Sequence, residues 1–390
     1  MVQQKVKYTD TERTPAERAR ALLEEMTLDE KMAQLGCIFP FGDSYDDMEQ
    51  QALEMPYGIG QVSTLEMRKD RHAGRGRRMA EEDAGDCDET KPSSYPGNLS
   101  YGGTVRSIIQ EGTSFPSGIA RGSGWDPELE EKIAKVVAKQ EAACGITHIL
   151  APVLDISRDS RMGRQGETYG EDPALAAALG AAYTKGIQTT EAGGRRPESV
   201  AKHFLGFHNS QGGIHGTNSD TPSRLMEEIY GKPFQSAISE SELKGVMPCY
   251  NSIDGEPASV SHRLLTELLR EKMGFDGLCV SDYGGINNAH EVQRIGETIG
   301  ETGLLAMEAG MDIEMPKATG YGEELKEMFR SGQADTELLD RTVLRVLEAK
   351  FRMGLFEHPF AMDGESCQKI LKRKRGRSYL SGQQESPWYS

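Results

Sequence analysis

The chain has 390 residues, enough for one large domain or two ordinary ones. Acidic residues outnumber basic ones 61 to 45, a net charge of −16 that argues against nucleic acid or anionic membrane as the main partner. No apolar run approaches a membrane span, and the opening Met1-Val2-Gln3-Gln4-Lys5-Val6-Lys7 is too polar for a secretory signal, so the expected compartment is the cytoplasm.

Thr14-Pro15 opens a helix with apolar positions at Ala19, Leu22, Leu23 and Met26, and Thr27 with Glu30 forms a capping-box pattern. Gly58 to Thr64 is the first strand candidate. Between Met67 and Leu99, thirty-one residues contain no Val, Ile, Leu or Phe, which cannot bury a strand and its helix; a disordered insert is expected at 68–98. Order returns near Phe115. Asp126-Pro127 and Asp172-Pro173 each start a helix, and strands are expected at Ile146–Leu154, Val200–Phe207 and Val246–Tyr250. Ser261 caps a helix carrying Leu264, Leu265, Leu268 and Leu269; a strand leads to Asp282, a helix follows at Thr302–Ala309, a strand at Met311–Met315, and two helices close the series.

Strands alternating with helices at this spacing, in about seven units, predict a parallel sheet closed as a (β/α)8 TIM-like barrel over 1–365, irregular or incomplete around residues 66–112. No G-x-G-x-x-G follows a strand and no P-loop is present, so no nucleotide cofactor is expected. The six cysteines are scattered without a C-x-x-C; Cys249 and Cys279 lie in apolar runs and read as small buried hydrophobes, and His208 and His215 lack zinc-site spacing and read as loop residues. From Ser366 to Ser390 a basic, Gly/Ser/Gln-rich tail is expected.

Four expected strand ends deliver polar groups to one face. One leads into the loop Asp155 to Pro173 with Arg158, Arg161, Arg164, Glu167 and Glu171; the others carry Lys202-His203, Tyr250-Asn251 and Ser281-Asp282-Tyr283. Cations, an imidazole, a phenol and a carboxylate suit a neutral polyhydroxylated ligand. A carboxylate flanked by cations stays ionised and can attack an anomeric carbon. Each residue also has a structural reading: Asp282 as the cap of the next helix, Arg161 and Arg164 as partners of Glu167 and Glu171 that fix a loop, His203 as a satisfied core histidine, Asp159 and Glu171 as loop and cap ligands. A lysine beside that histidine on a buried strand favours a ligand role for both.

Arg161-x-Gly163-Arg164-x-x-Glu167-x-Tyr169-Gly170-Glu171-Asp172-Pro173, Lys202-His203-Phe204 and Ser281-Asp282-Tyr283 resemble, in order, three motifs of glycoside hydrolase family 3, the retaining β-glucosidases and β-xylosidases, with Met162 where the family has Trp. The similarity covers roughly Thr14–Thr64 and Ser114–Pro359, the family's N-terminal barrel domain. The resemblance implies Asp282 as nucleophile, Arg164, Lys202 and His203 as sugar-holding groups, Tyr250 beside the nucleophile and Tyr283 as an aromatic platform. It implies a β-linked glycoside substrate and neither metal nor cofactor.

Two departures bear on activity. The family's early acidic sugar ligand has no counterpart in Asn98-Leu99-Ser100-Tyr101-Gly102-Gly103-Thr104-Val105-Arg106, and the family's following α/β sandwich, which usually carries the general acid/base, is not expected in so short a tail. A change of reading frame near Arg68, reversed near Thr113 and repeated after Ser366, is one hypothesis that covers both; the parent DNA's other frames should then encode an apolar strand with an acidic residue, and the insert is genuine if neither does. Retaining hydrolysis needs two carboxylates about 5–5.5 Å apart, so impaired hydrolysis or a sugar-binding remnant is expected. The family's β-N-acetylhexosaminidase branch ranks low, because its Asp-Ser-His is missing from the loop His208–His215.

Overall fold

The computed structural model describes residues 6–38, 56–63, 98–101 and 112–371. The insert expected at 68–98 lies outside the described residues apart from Asn98, as does the tail beyond Leu371. None of the described helices is long and apolar enough to cross a membrane.

Ten short strands are present among the described residues: β1 (Cys37–Ile38), β2 (Gln61–Ser63), β3 (Asn98–Tyr101), β4 (Ile146–Ile149), β5 (Glu198–Phe204), β6 (Asn218–Ser219), β7 (Gly245–Pro248), β8 (Ser252–Ile253), β9 (Glu256–Pro257) and β10 (Leu278–Cys279). Seven of them pair in the order β1-β2-β3-β4-β5-β7-β10, every neighbour parallel. The ring then returns on itself. Val280 bridges Ile313 in parallel, and the Glu314 N–H donates to the Leu35 carbonyl at 3.0 Å, just ahead of β1. This is a TIM-like (β/α)8 arrangement in which residues 311–315 hold the eighth position.

The region expected to fail at 66–112 contains β3, which pairs with β2 on one side and β4 on the other. A register shift between Leu99 and Ser100 makes the ring irregular there rather than open. Parallel pairing needs backbone groups and neighbours, not aliphatic side chains, so composition alone underestimates this strand. The stretch Gly58–Thr64 holds β2, and the two-residue β1 precedes it without any periodicity to announce it.

The helices begin where the sequence signals them. Asp126 Oδ1 accepts from Leu129 N at 2.9 Å, Asp172 Oδ1 from Ala174 N and Leu175 N at 2.7 and 2.9 Å, and Thr27 and Glu30 exchange capping-box bonds. Ser261 Oγ accepts from Leu264 N at 3.2 Å, ahead of the helix Arg263–Lys272 that buries all four leucines. Beyond the expected boundary at 365, the helix Gly364–Leu371 buries Cys367 and Leu371 in one cluster with Ile133, Ala134 and Val137 of the helix Pro127–Ala143, so residues to Leu371 belong to the barrel's periphery rather than to a tail.

The strand that carries Asp282 is held on both sides. Gly277 passes so close to β7 that a Cβ would lie 2.2 Å from the Lys244 carbonyl, which excludes any side chain there. On the other side Asp312, fully buried, accepts from Cys279 N at 2.8 Å, Arg270 at 2.7 Å and Arg345 at 2.6 Å. Asp312→Ala would leave the part-buried Arg270 and Arg345 without their shared carboxylate. A loss of about 3–5 kcal/mol is expected, read as a lower midpoint in urea unfolding with unchanged slope.

Candidate active site

Every expected site residue emerges at the carboxyl end of a barrel strand, the end from which loops build sites in this architecture. Asp282 follows β10. Its side chain is 13% exposed, Oδ1 accepts from the Tyr283 N–H at 2.7 Å, and Oδ2 is buried without a hydrogen bond. The helix-cap alternative does not hold: the helix Gly285–Glu291 is entered through Gly284, at φ +67°, with no side-chain cap. Ser281 turns the other way, its hydroxyl accepting from Met315 N at 2.8 Å and tying this strand to the eighth position.

His203, on β5, is an ionisable neighbour of Asp282. Its Nε2 lies 3.6 Å from Asp282 Oδ2 and 3.4 Å from an Arg164 nitrogen, while Nδ1 meets Asp155 Oδ2 at 2.7 Å. Above the Asp155 titration the carboxylate can only accept, so Nδ1 carries the proton and Nε2 presents its lone pair. Burial holds the imidazole well below its ordinary pKa, with Lys202 and Arg164 pushing the same way and Asp282 opposing. The ring is therefore a neutral, oriented acceptor. Burial pushes Asp155 up to about 6, partly offset by His208 and Arg164.

Arg164 grips Glu167 through two bonds, 2.6 and 2.8 Å, and lies 5.2 Å over the Phe207 ring. Burial works against the Glu167 charge, but the Arg164 bonds and the charges of Arg164 and Lys202 outweigh it and hold the carboxyl below its usual range. Arg164 thus fixes the loop, its fork bound to Glu167, while its outer edge faces His203. Arg161 does not reach the site. It pairs with Asp159 at 2.6 Å in solvent, and Asp159 caps that short turn by accepting from Arg161 N at 2.9 Å. Glu171 is exposed beside Asp172, which does the capping.

Lys202 is 9% exposed on β5, with its backbone bonded to Pro152 and Leu154. Tyr250 donates to the Tyr283 carbonyl at 2.8 Å, which fixes the chain beyond Asp282; burial, then the Asp282 charge, keeps the phenol protonated. Tyr283 packs half-buried beside it.

Three participants have no assigned role in the sequence reading. Asp155 is one, although its place right after an apolar strand is the same signal that singles out Asp282. Phe207 is a post around which Arg164, His203 (4.5 Å) and His215 (5.0 Å) gather. His215, expected to be an ordinary loop residue, packs its ring 4.7 Å from Tyr250, and burial lowers its pKa with Arg164 acting in the same sense against Asp282. Nothing in a Gly-rich loop signals which way its histidine points.

The family model described as the glycosyl hydrolase family 3 N-terminal domain matches residues 27–349. The chain belongs to glycosyl hydrolase family 3. A β-xylosidase of Formosa agariphila is 34% identical over 267 residues, covering 66% of this family 3 chain and 37% of the xylosidase. Among solved structures, a β-glucosidase from Erythrobacter marinus aligns with TM-score 0.87 at 28% identity, covering 96% of this chain and 49% of that one. A mutant β-glucosidase from Listeria innocua, solved with laminaribiose, aligns with TM-score 0.81 at 28% identity, covering 94% and 51%. The family 3 barrel thus spans 37% of the xylosidase relative and about half of each structural neighbour.

Proposed function

We propose that the barrel carries the nucleophile and sugar-holding groups of a retaining β-glycosidase acting on terminal β-D-glucosides or β-D-xylosides. The observation that carries this reading is Asp282 Oδ2, buried without a hydrogen bond, 3.6 Å from the neutral His203 and within the field of Arg164. A buried acceptor left unpaired needs a reason, and attack on an anomeric carbon supplies one. The Listeria innocua neighbour, solved with a β-linked glucose disaccharide, supports the substrate class.

In the first step Asp282 Oδ2 forms a bond to C1 as the C1–O bond to the aglycone breaks. In the second, water attacks C1 and releases Asp282. His203 Nε2 accepts from a sugar hydroxyl, while Arg164 and Lys202 donate to others. Both steps need a proton carrier. Asp155 is committed to His203 and Glu167 to Arg164, so neither is free to protonate the departing oxygen. Turnover by this chain should therefore depend steeply on the leaving group. An aryl β-glucoside with an acidic phenol is expected to be hydrolysed at least about 10²-fold faster than cellobiose. Equal rates on both would show that the chain has its own acid, and no turnover of either would favour a sugar-binding remnant.

A further inference from the structure

A second concave site lies along the Asp155–Pro173 loop and shares no lining residue with the Asp282 cluster. It is a cavity of about 490 Å³ lined by Ile119, Trp125, Arg158, Tyr169 and Glu171 among others. Trp125 joins the helices Gly118–Gly122 and Pro127–Ala143. The second of these helices runs back to the start of β4, so Trp125 stands at the same end of the barrel as the Asp282 mouth.

Trp125 is unusual in two ways. Its side chain is 62% exposed, and its backbone holds φ +53°, a conformation bulky residues rarely adopt. Exposure and strain together imply that the indole is presented rather than packed. Arg158 and Glu171, also exposed, have no hydrogen bond or ion pair among the described residues, which leaves one fork of donors and one pair of acceptors beside the indole. The floor is rigid: the buried Tyr169 hydroxyl donates to Glu130 at 2.6 Å, and Arg121 lies 3.4 Å from Glu130 and 5.9 Å over the Tyr169 ring. The site is preformed, so a ligand pays little to order it.

We propose that this groove is a second saccharide-binding site, in which Trp125 stacks on a pyranose ring while Arg158 and Glu171 bond its hydroxyls. An apolar face flanked by a free donor and a free acceptor is what a sugar ring offers in complement. A protein partner is the poorer fit, because a stable interface needs an extended apolar core and Trp125 and Ile119 are the exposed large apolar residues lining this groove. The proposal rests on the glycosidase reading only for the choice of probe, a β-1,3-linked glucose oligomer. A site here would hold a distal part of a chain whose end is processed at Asp282, or a neighbouring chain.

The sequence has two tryptophans, so Trp388→Phe leaves Trp125 as the only emitter. In that protein Trp125 emission should be quenched freely by acrylamide and should change saturably on titration with a sulfur-linked, uncleavable laminaritetraose. Trp125→Ala and, separately, Glu171→Gln should weaken tetraose binding about tenfold, without changing kcat/KM for a small aryl β-glucoside. An emission that ignores the tetraose overturns the proposal, and so does unaltered binding in both variants. Trp125 shielded from acrylamide without sugar also overturns it, because the face is then covered by protein. If the glycosidase reading alone is wrong, the aryl glucoside is not cleaved but the titration still saturates.

Discussion

Asp282→Ala is expected to abolish glycosidase turnover, lowering kcat for an aryl β-glucoside by about 10⁴-fold or more, with far-UV circular dichroism unchanged. The size of the loss follows from covalent catalysis: without Oδ2 no glycosyl intermediate forms, and the remaining groups only hold the sugar. The intact fold follows from the bonding. The Asp282 side chain accepts one backbone bond, from Tyr283 N, and leaves Oδ2 unpaired, whereas the strand itself is anchored by Ser281 and Asp312. Removing an unpaired buried oxygen relieves desolvation, so the melting temperature should stay level or rise. Turnover at the parent rate would remove Asp282 from the mechanism.

Asp155→Asn should have the next largest effect, with opposite signs in activity and stability. The carboxylate fixes the His203 tautomer and ring plane through Nδ1 and the His203 backbone N–H, at 2.7 and 3.3 Å. An amide can turn its NH2 toward Nδ1 and reverse the tautomer, so Nε2 would offer a proton where a lone pair is needed. A misplaced group of this kind lowers kcat/KM by about 10²-fold. The pH dependence has a definite direction. Burial raises Asp155 from 3.8 to about 6, so below that pH it is protonated and no longer an obligate acceptor. The parent enzyme should lose activity with an acid limb near pH 6, and the asparagine variant should lack that limb. For stability, a raised carboxyl favours folding in its protonated form, and that contribution is lost as pH rises from 3.8 to about 6. At pH 7 the neutral amide avoids the loss, so the variant should melt no lower than the parent. A parallel drop in activity and melting temperature would instead mark Asp155 as a packing residue.

The sequence motifs place Arg164, Lys202, His203, Tyr250, Asp282 and Tyr283 at strand ends, and the fold delivers all six to one mouth because alternating β and α text fixes which end of each strand is which. Pairings across the barrel were not legible. Asp155, in the loop after β4, and His203, on β5, are 48 residues apart, and neither stretch alone shows that they meet. Arg161 and Arg164 look alike in the sequence, yet the left-handed turn at Gly163 (φ +80°) separates them, one bonded to Asp159 in solvent and the other to Glu167 over Phe207. β3 was hidden because side-chain composition reports burial, whereas its existence depends on backbone pairing to β2 and β4. The helix Gly364–Leu371 escaped notice for a related reason: a basic run begins at its end, and only Cys367 and Leu371 mark its buried face.

The central claim is that Asp282 forms a bond to the sugar. Incubation with an activated 2-deoxy-2-fluoro-β-glucoside, followed by peptide mass spectrometry, reads that bond directly, because the fluorine slows release of the intermediate more than its formation. The account predicts one fluoroglucosyl group per chain, on the peptide containing Asp282 and lost in Asp282→Ala; a label on any other carboxylate would contradict it.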